Sequence, residues 1–170
     1  TQRMAIQADP TFKMKSDLAG IEGMKTARAI ALLSYRNYGT YHLTQQDESS
    51  MLKNFRACSY QNYQGEKLAR RFNAFSYYFI SKAFDTHDVG RNRGGVEKAL
   101  RNIKANALII GISSDMLFPV EEQKSVAEKI PNGQYFEINS KYGHDGFLLE
   151  YKQLEDIFSN HLKHADHEST

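Results

Sequence analysis

Cysteine is almost absent from the sequence: Cys58 is the only one among 170 residues. A disulfide within the chain is therefore excluded, and this usage fits a reducing, cytoplasmic compartment better than secretion. No run approaches the roughly 18 consecutive apolar residues that a membrane-spanning helix needs, and the first residues lack the basic and then apolar pattern of a signal peptide. We therefore expect a soluble cytoplasmic protein with no membrane partner.

An excess of either charge is also absent. The chain has 22 Lys and Arg against 20 Asp and Glu, a formal net charge of +2, and no long stretch carries one sign. This balance argues against a nucleic acid or an acidic membrane as the main partner. We interpret Arg91 and Arg93 as solvated surface; contact with a phosphorylated cofactor is the alternative.

What the sequence does contain is the composition of a globular protein, with 41% hydrophobic and 25% charged residues. Up to about Lys104 helical patterns dominate, and after it short strand-like runs alternate with amphipathic helices. The chain starts with Thr1 rather than Met, inside a helical pattern, which predicts that it continues a longer polypeptide.

The first region predicts three main helices. Residues 17–35 carry apolar side chains at spacings of three and four, which indicates a helix with one apolar face. A second helix is expected over residues 61–72, and a third begins after Asn73, a residue type favoured at helix N-caps. A polar, Gly-rich loop over residues 85–95 and a short helix over 96–103 follow.

The second region predicts a parallel sheet. The apolar run "ALIIGIS" at residues 107–113 is typical of a strand buried on both faces. A helix is expected over residues 119–130, a second strand over 134–139 and a final helix over 147–162, an order that implies right-handed crossovers. Because two strands are too few for a stable sheet of this kind, the others are expected from a segment outside this sequence or from another molecule.

Two residues that could do chemistry follow these strands. Asp115 comes just after the first strand, and His144, in "YGHDG", comes shortly after the second. Because the carboxyl ends of parallel strands meet at one edge of a sheet, we expect the two side chains to be neighbours. A carboxylate bonded to one imidazole nitrogen lets the other nitrogen act as a base. The alternative is a structural turn aspartate and a surface histidine.

A nucleophile for this pair is not evident. The chain contains no Gly-x-Ser-x-Gly elbow. Ser113 and Ser114 lie on the turn that leads to Asp115, and Cys58 lies in a helical segment with no strand before it. We therefore expect the nucleophile to come from outside this sequence.

The C-terminal histidines suggest a second kind of site. His161, His164 and His167 are spaced by three residues, a pattern that could hold a metal. No carboxylate or cysteine framework accompanies them, so we predict a frayed polar tail and no metal.

The stretches "SSDMLFP" and "YGHDGFL" resemble the C-terminal part of homoserine O-acetyltransferases, which are α/β-hydrolase-fold enzymes. The similarity extends upstream through "YQGEKLARRFNAFSYYFISKAFDTHDVGRNRGG" and "ARAIALLSYR" to "RMAIQADP", so it covers nearly all of the chain except the tail. It implies an α/β class: the C-terminal portion of an α/β-hydrolase fold, a parallel sheet with flanking helices, carrying an inserted helical lid. Residues 1–15 would continue a helix from the hydrolase core, 16–104 would form the lid, and 105–170 would form the last strands and helices of the core.

The resemblance also implies roles for single residues. Asp115 matches the acid and His144 the base of the catalytic triad. Arg28 matches a substrate-binding arginine of the lid, and Asp145 matches the substrate-binding aspartate that follows the histidine. The implied nucleophile is a serine before Thr1.

The implied reaction is a ping-pong transfer of an acetyl group from acetyl-CoA, a co-substrate, to L-homoserine in methionine biosynthesis, with no cofactor and no metal. The lid helices are expected to form a homodimer. Three alternatives stay open: succinyl-CoA as the acyl donor, ester hydrolysis on the same fold, or a noncatalytic lid and dimerisation fragment.

Overall fold

The computed structural model describes residues 1–48, 50 and 52–167, without the side chains of residues 162–167. In this described part, no helix is both long enough and apolar enough to cross a bilayer. The chain divides into two compact units. The first comprises Thr1–Ser34 and Tyr41–His87, and the second comprises Tyr35–Thr40 and the residues from Asp88 onward. The helical lid over residues 16–104 stays a prediction.

The first unit is helical. Its helices are α1 (Gln2–Ala8), α2 (Ile21–Tyr35), α3 (Tyr38–Gln45), α4 (Arg56–Ala69) and α5 (Ala74–Thr86), although the end of α2 and the start of α3 belong to the second unit. Asn73 caps α5 as expected, because its side chain accepts a hydrogen bond from the backbone N–H of Ser76 at 2.8 Å. The predicted start of this helix is confirmed.

Other helix boundaries differ from the sequence expectation. Helix α2 begins at Ile21 rather than at residue 17, since Gly20 adopts a left-handed backbone with φ of 75°. Helix α4 starts earlier than residue 61 and ends before residue 72. Helix α3 has no counterpart in the prediction; at its start, the Asn37 side chain accepts a hydrogen bond from the N–H of Gly39 at 2.9 Å.

The core of the first unit depends on a close approach of α1 and α2. Its buried members are Ile6, Met24, Ala27, Leu68 and Ala74. A Cβ atom at Gly23 would lie 2.6 Å from the carbonyl oxygen of Ala5 and 2.7 Å from the Cα of Ile6. The glycine that weakens α2 by intrinsic propensity is thus required by its packing.

Asp9 is a buried carboxylate that ties the loop after α1 to the start of α2. Its Oδ1 accepts hydrogen bonds from the hydroxyl of Thr11 at 2.7 Å and from the N–H of Thr11 at 2.9 Å, and its Oδ2 accepts one from the N–H of Gly23 at 2.9 Å. These donors, the Thr11 hydroxyl first and Gly23 second, hold the pKa of Asp9 below its ordinary value, because they favour the ionised form.

Asp9→Asn should lower the free energy of unfolding by about 1–3 kcal/mol at neutral pH, because an amide cannot accept from the hydrogen-bond donors on both sides. Since the native pKa is depressed, the contribution of Asp9 is fully present above the unfolded-chain pKa of about 4 and is lost as pH falls through the lower native pKa. The difference between wild type and variant should therefore shrink from pH 7 to pH 3 in urea unfolding. Asp17→Asn, at an exposed position, is the control; an undiminished difference at pH 3 would contradict the prediction.

The second unit contains the parallel sheet. Helix α6 (Val96–Arg101) precedes strand β1 (Ala107–Ile112), and helix α7 (Val120–Lys129) connects β1 to strand β2 (Gly133–Ile138) and packs against both strands. The strands are parallel, as predicted, with Ala107 opposite Gly133 and Ile112 opposite Ile138. A 3-10 helix (Gly143–Asp145) and the helices α8 (Gly146–Leu149) and α9 (Tyr151–His167) follow.

The C-terminal helix differs from the prediction at both ends. Glu150, with φ of −90° and ψ of 44°, separates α8 from α9, so the helix expected from residue 147 is divided. Helix α9 continues to His167, where a frayed polar tail is predicted from the sequence. The His161 Nδ1 atom lies 3.3 Å from the Gln134 amide oxygen, whereas the side chains of His164 and His167 lie outside the described residues.

A polar cluster joins the sheet to α7. Gly111 leaves room for the phenol of Tyr135, since a Cβ there would lie 2.4 Å from the phenol oxygen. The phenol donates to Glu137 Oε2 at 3.0 Å, and the same oxygen pairs with Lys124 Nζ at 3.2 Å. Burial, followed by the Glu137 carboxylate, raises the pKa of Tyr135 to about 12. Tyr135 is therefore neutral near pH 7 and acts as a hydrogen-bond donor.

Candidate active site

Asp115 lies in a tight turn directly after β1. Its N–H donates to the carbonyl of Ile112 at 3.0 Å, which closes the turn. Its Oδ1 accepts hydrogen bonds from the N–H groups of Leu117 at 2.7 Å and Phe118 at 3.0 Å. The side chain is only 3% exposed. The carboxylate is therefore held in place by the backbone of its own loop.

His144 lies in the 3-10 helix that follows β2. Its Nδ1 is 2.8 Å from Asp115 Oδ2, and its side chain is 23% exposed. Gly143 precedes it with φ of 65°, and a Cβ there would lie 2.8 Å from both the nitrogen of Asn37 and the carbonyl oxygen of Tyr35. The turn therefore depends on glycine. The expectation that Asp115 and His144 are neighbours is confirmed.

This geometry defines which imidazole nitrogen can take a proton. With Asp115 ionised, the hydrogen of a neutral ring lies on Nδ1 and is donated to Oδ2, which makes Nε2 the basic nitrogen. Within the described residues, no group of three or more His, Cys, Asp or Glu could hold a metal ion. The pair has the arrangement of a general base and the acid that orients it.

Serine side chains join the two turns directly. The hydroxyl of Ser114 accepts a hydrogen bond from the N–H of Gly143 at 3.0 Å. The hydroxyl of Ser113 accepts one from the N–H of Ser140 at 3.1 Å, and the Ser140 hydroxyl accepts one from the N–H of Tyr142 at 3.1 Å. Ser113 and Ser114 are therefore structural groups that hold the His144 turn against the Asp115 turn.

Aromatic rings surround the imidazole. The ring centroids of Phe118, Phe147 and Tyr35 lie 5.2, 5.4 and 5.6 Å from that of His144. Phe118 and Phe147 are themselves 45% and 48% exposed. The imidazole thus lies at a partly open surface with apolar walls, a setting that suits an uncharged ligand.

Asp145 forms an ion pair beside the histidine. The Nε of Arg36 lies 2.8 Å from Asp145 Oδ2, and the two side chains are 31% and 18% exposed, respectively. The sequence reading selected Asp145 but missed Arg36, together with Tyr35, Phe118 and Phe147. Arg36 follows the last residue of α2, where a positive charge often serves only to interact with the helix dipole. The sequence alone therefore gives no signal that marks it as a site residue.

Arg28 lies in a different part of the chain from the other three predicted site residues. It is a partly buried residue of α2 in the first unit. Asp115, His144 and Asp145 all belong to the second unit, where the last two are adjacent in the 3-10 helix. The structure thus brings together Asp115 and His144 and places Asp145 next to them, while the role of Arg28 stays a prediction.

Known proteins with similar sequences include homoserine O-acetyltransferases. The homoserine O-acetyltransferase of Cyclobacterium marinum is 49% identical to this chain over 160 residues, which cover 94% of the chain and 46% of the relative. The chain belongs to the homoserine O-acetyltransferase family. It spans slightly less than half the length of that relative. No protein-family model matches the sequence.

Solved structures establish the fold. A homoserine O-acetyltransferase from Bacillus anthracis matches with a TM-score of 0.75 at 21% identity, over 85% of this chain and 42% of that protein. Esterase E22 matches with a TM-score of 0.78 at 17% identity, over 92% of this chain and 47% of that protein. These neighbours are α/β hydrolases, so the chain has a partial α/β-hydrolase fold and the predicted fold class is confirmed.

Proposed function

We propose that this chain is the C-terminal part of an enzyme that moves an acetyl group from acetyl-CoA to the hydroxyl of L-homoserine. Membership of the family supports the reaction. The observation that carries the proposal is the 2.8 Å contact between His144 Nδ1 and Asp115 Oδ2. The acid precedes the base in the chain, as in the Ser, Asp, His order of α/β hydrolases. A serine from outside these 170 residues completes the triad in this proposal.

The first half-reaction forms an acetyl-enzyme. The serine hydroxyl gives its proton to His144 Nε2 as its oxygen attacks the thioester carbon of acetyl-CoA. When the tetrahedral intermediate collapses, the carbon–sulfur bond breaks and the imidazolium returns the proton to the leaving thiolate. Asp115 stabilises the imidazolium and keeps Nε2 directed toward the reacting atoms.

The second half-reaction transfers the acetyl group. The homoserine hydroxyl gives its proton to Nε2 as its oxygen attacks the acetyl ester, and the serine oxygen recovers that proton when it leaves. Water competes with homoserine at this step. A bound acceptor displaces water from the apolar surface that the rings of Tyr35, Phe118 and Phe147 form around His144, which favours transfer over hydrolysis.

Arg28 and Asp145 are the proposed groups for holding homoserine. A guanidinium can bind the substrate carboxylate through two parallel hydrogen bonds, and a carboxylate suits the substrate ammonium. Asp145 is adjacent in sequence to the proposed base, so an ammonium bound there places the amino acid near Nε2. Holding both charged ends fixes the hydroxyl for attack.

Arg28→Ala in the full-length protein should raise the KM for homoserine by about 10-fold to 100-fold, because a charge-assisted bidentate contact is lost. The KM for acetyl-CoA should change little. Steady-state kinetics with each substrate varied in turn measure both values. Arg71→Ala, at an exposed position, is the matched control and should leave both unchanged. Equal increases in the two KM values would show that Arg28 does not bind homoserine specifically.

The identity of the reaction is tested with the full-length protein. Acetyl-CoA and succinyl-CoA are each supplied with and without homoserine, and release of CoA thiol and formation of the acylated amino acid are followed. Acetyl transfer that requires homoserine supports the proposal. Preference for succinyl-CoA, or thiol release and ester cleavage that do not depend on homoserine, would instead support a succinyltransferase or an ester hydrolase.

The same proposal includes a helical lid over residues 16–104, a homodimer formed through it, and a cytoplasmic location. A noncatalytic lid and dimerisation fragment is the competing interpretation. Purification of the 170-residue chain separates the two: a folded, inert dimer supports the fragment, whereas a chain that cannot fold alone supports a part of a larger enzyme.

A further inference from the structure

We propose that Arg36 is a positioning residue that sets the carboxylate of Asp145 for binding the substrate ammonium. This inference rests on the proposed function, since it concerns how the same site holds its amino acid. It assigns no proton transfer to Arg36. Its basis is the way in which the Tyr35–Thr40 segment lies against the turn that carries His144 and Asp145, all within the second unit.

The segment contacts the turn through its backbone. The carbonyl oxygen of Tyr35 and the nitrogen of Asn37 lie so close to Gly143 that a Cβ there would come within 2.8 Å of each. The hydroxyl of Thr40 donates to the carbonyl oxygen of Lys141 at 2.5 Å. Arg36 therefore lies within a segment whose flanking residues are already held against the loop. A long side chain that starts from a held backbone loses less conformational freedom when it forms an ion pair.

The ion pair engages one oxygen of Asp145. Arg36 Nε lies 2.8 Å from Oδ2, so Oδ1 is the oxygen that this nitrogen does not contact. Asp145 has a short side chain at the end of a 3-10 helix, so fixing one oxygen also fixes the direction of the other. The Asp145 side chain is 18% exposed, so a small ligand can reach part of it. A substrate ammonium is the group that such an oxygen would accept from.

A cation beside the ammonium site has two opposing effects. It orients the carboxylate, which strengthens binding, and it repels the ammonium, which weakens binding. The substrate is a zwitterion with no net charge, and the negative charge of Asp145 lies between Arg36 and a bound ammonium, which reduces their repulsion. Orientation should therefore dominate, and loss of Arg36 should weaken binding of the amino acid.

The test is a double-mutant cycle in the full-length protein with Arg36→Gln, Asp145→Asn and the combination. Arg36→Gln should raise the homoserine KM by about 10-fold, while the rate of acetyl-enzyme formation from acetyl-CoA changes by less than about threefold. In the Asp145→Asn background, Arg36→Gln should have almost no further effect on this KM, because Arg36 acts through Asp145. A role in folding alone would not produce this dependence on Asp145.

Two further variants keep the test decisive. Arg36→Lys retains the charge but not the planar donor group and should give an intermediate KM, which covers the case in which the Gln variant does not fold. Arg71→Gln makes the same substitution at an exposed arginine outside this segment, and it should leave the homoserine KM within about twofold of wild type.

The inference and the proposed function fail in different ways. An unchanged or lowered homoserine KM in Arg36→Gln, or the same increase with and without Asp145, would overturn the role of Arg36 in an enzyme that still acetylates homoserine. No homoserine-dependent transfer by the wild-type protein would overturn the proposed function itself, and the inference with it.

Discussion

His144→Ala in the full-length protein should lower kcat/KM for acetyl transfer by about 10⁴-fold or more. The imidazole is the proposed base for both half-reactions, and alanine leaves no group that can take the proton from either the serine or homoserine. Because the ring is partly exposed and lies in a short 3-10 helix, its removal should not unfold the protein. Stopped-flow release of CoA thiol and steady-state assays measure the two steps separately.

The matched control for this variant is His161→Ala. His161 is a histidine of α9 whose ring contacts Gln134 rather than Asp115. It should retain wild-type kinetics. If His144→Ala keeps activity within about tenfold of wild type while its unfolding temperature is unchanged, the general-base assignment is wrong.

Asp115→Asn is expected to reduce kcat by about 10⁴-fold without a comparable loss of structure. The amide oxygen can still accept from the N–H groups of Leu117 and Phe118, as Oδ1 does in the wild type. Its NH₂ group then faces His144 Nδ1, which forces the ring hydrogen onto Nε2 and removes the basic lone pair from the reacting side.

The measurement for Asp115→Asn combines kcat with its pH profile. Loss of the oriented base should lower kcat at every pH rather than move the profile, because the tautomer is set by the hydrogen bond and not by solvent protons. Wild-type kcat in Asp115→Asn would show that orientation of the His144 ring by Asp115 is not needed for catalysis. Urea unfolding serves as the control for an intact fold.

Elements with strong local signals could be predicted from the sequence. The apolar run that forms β1 and the side-chain cap of Asn73 both act within a few residues, so each is readable without knowledge of the rest of the chain. Helix α3 could not be read in this way. Its sequence, YGTYHLTQ, includes a glycine and two β-branched threonines and lacks an apolar face, so intrinsic propensity does not favour it.

In the candidate site, too, some contacts could be predicted from the sequence and others depend on residues that are distant in the chain. Asp115 and His144 could be paired because each follows a strand of a parallel sheet, a topology that brings loops together. The ion pair of Arg36 with Asp145 joins distant parts of the chain, and neither residue lies in a pattern that requires the other. Likewise, only the structure assigns Ser113 and Ser114 to joining the two turns.

Gly143, the left-handed residue before His144, is a simple feature by which the sequences of homologous genes can be compared. No side chain fits at position 143 while the backbone of Tyr35 and Asn37 keeps its present course. A homologous gene that encodes a histidine at the equivalent of His144 but a larger amino acid before it must route that neighbouring backbone differently. In such a gene product, the proposed positioning of Asp145 by Arg36 should be altered as well.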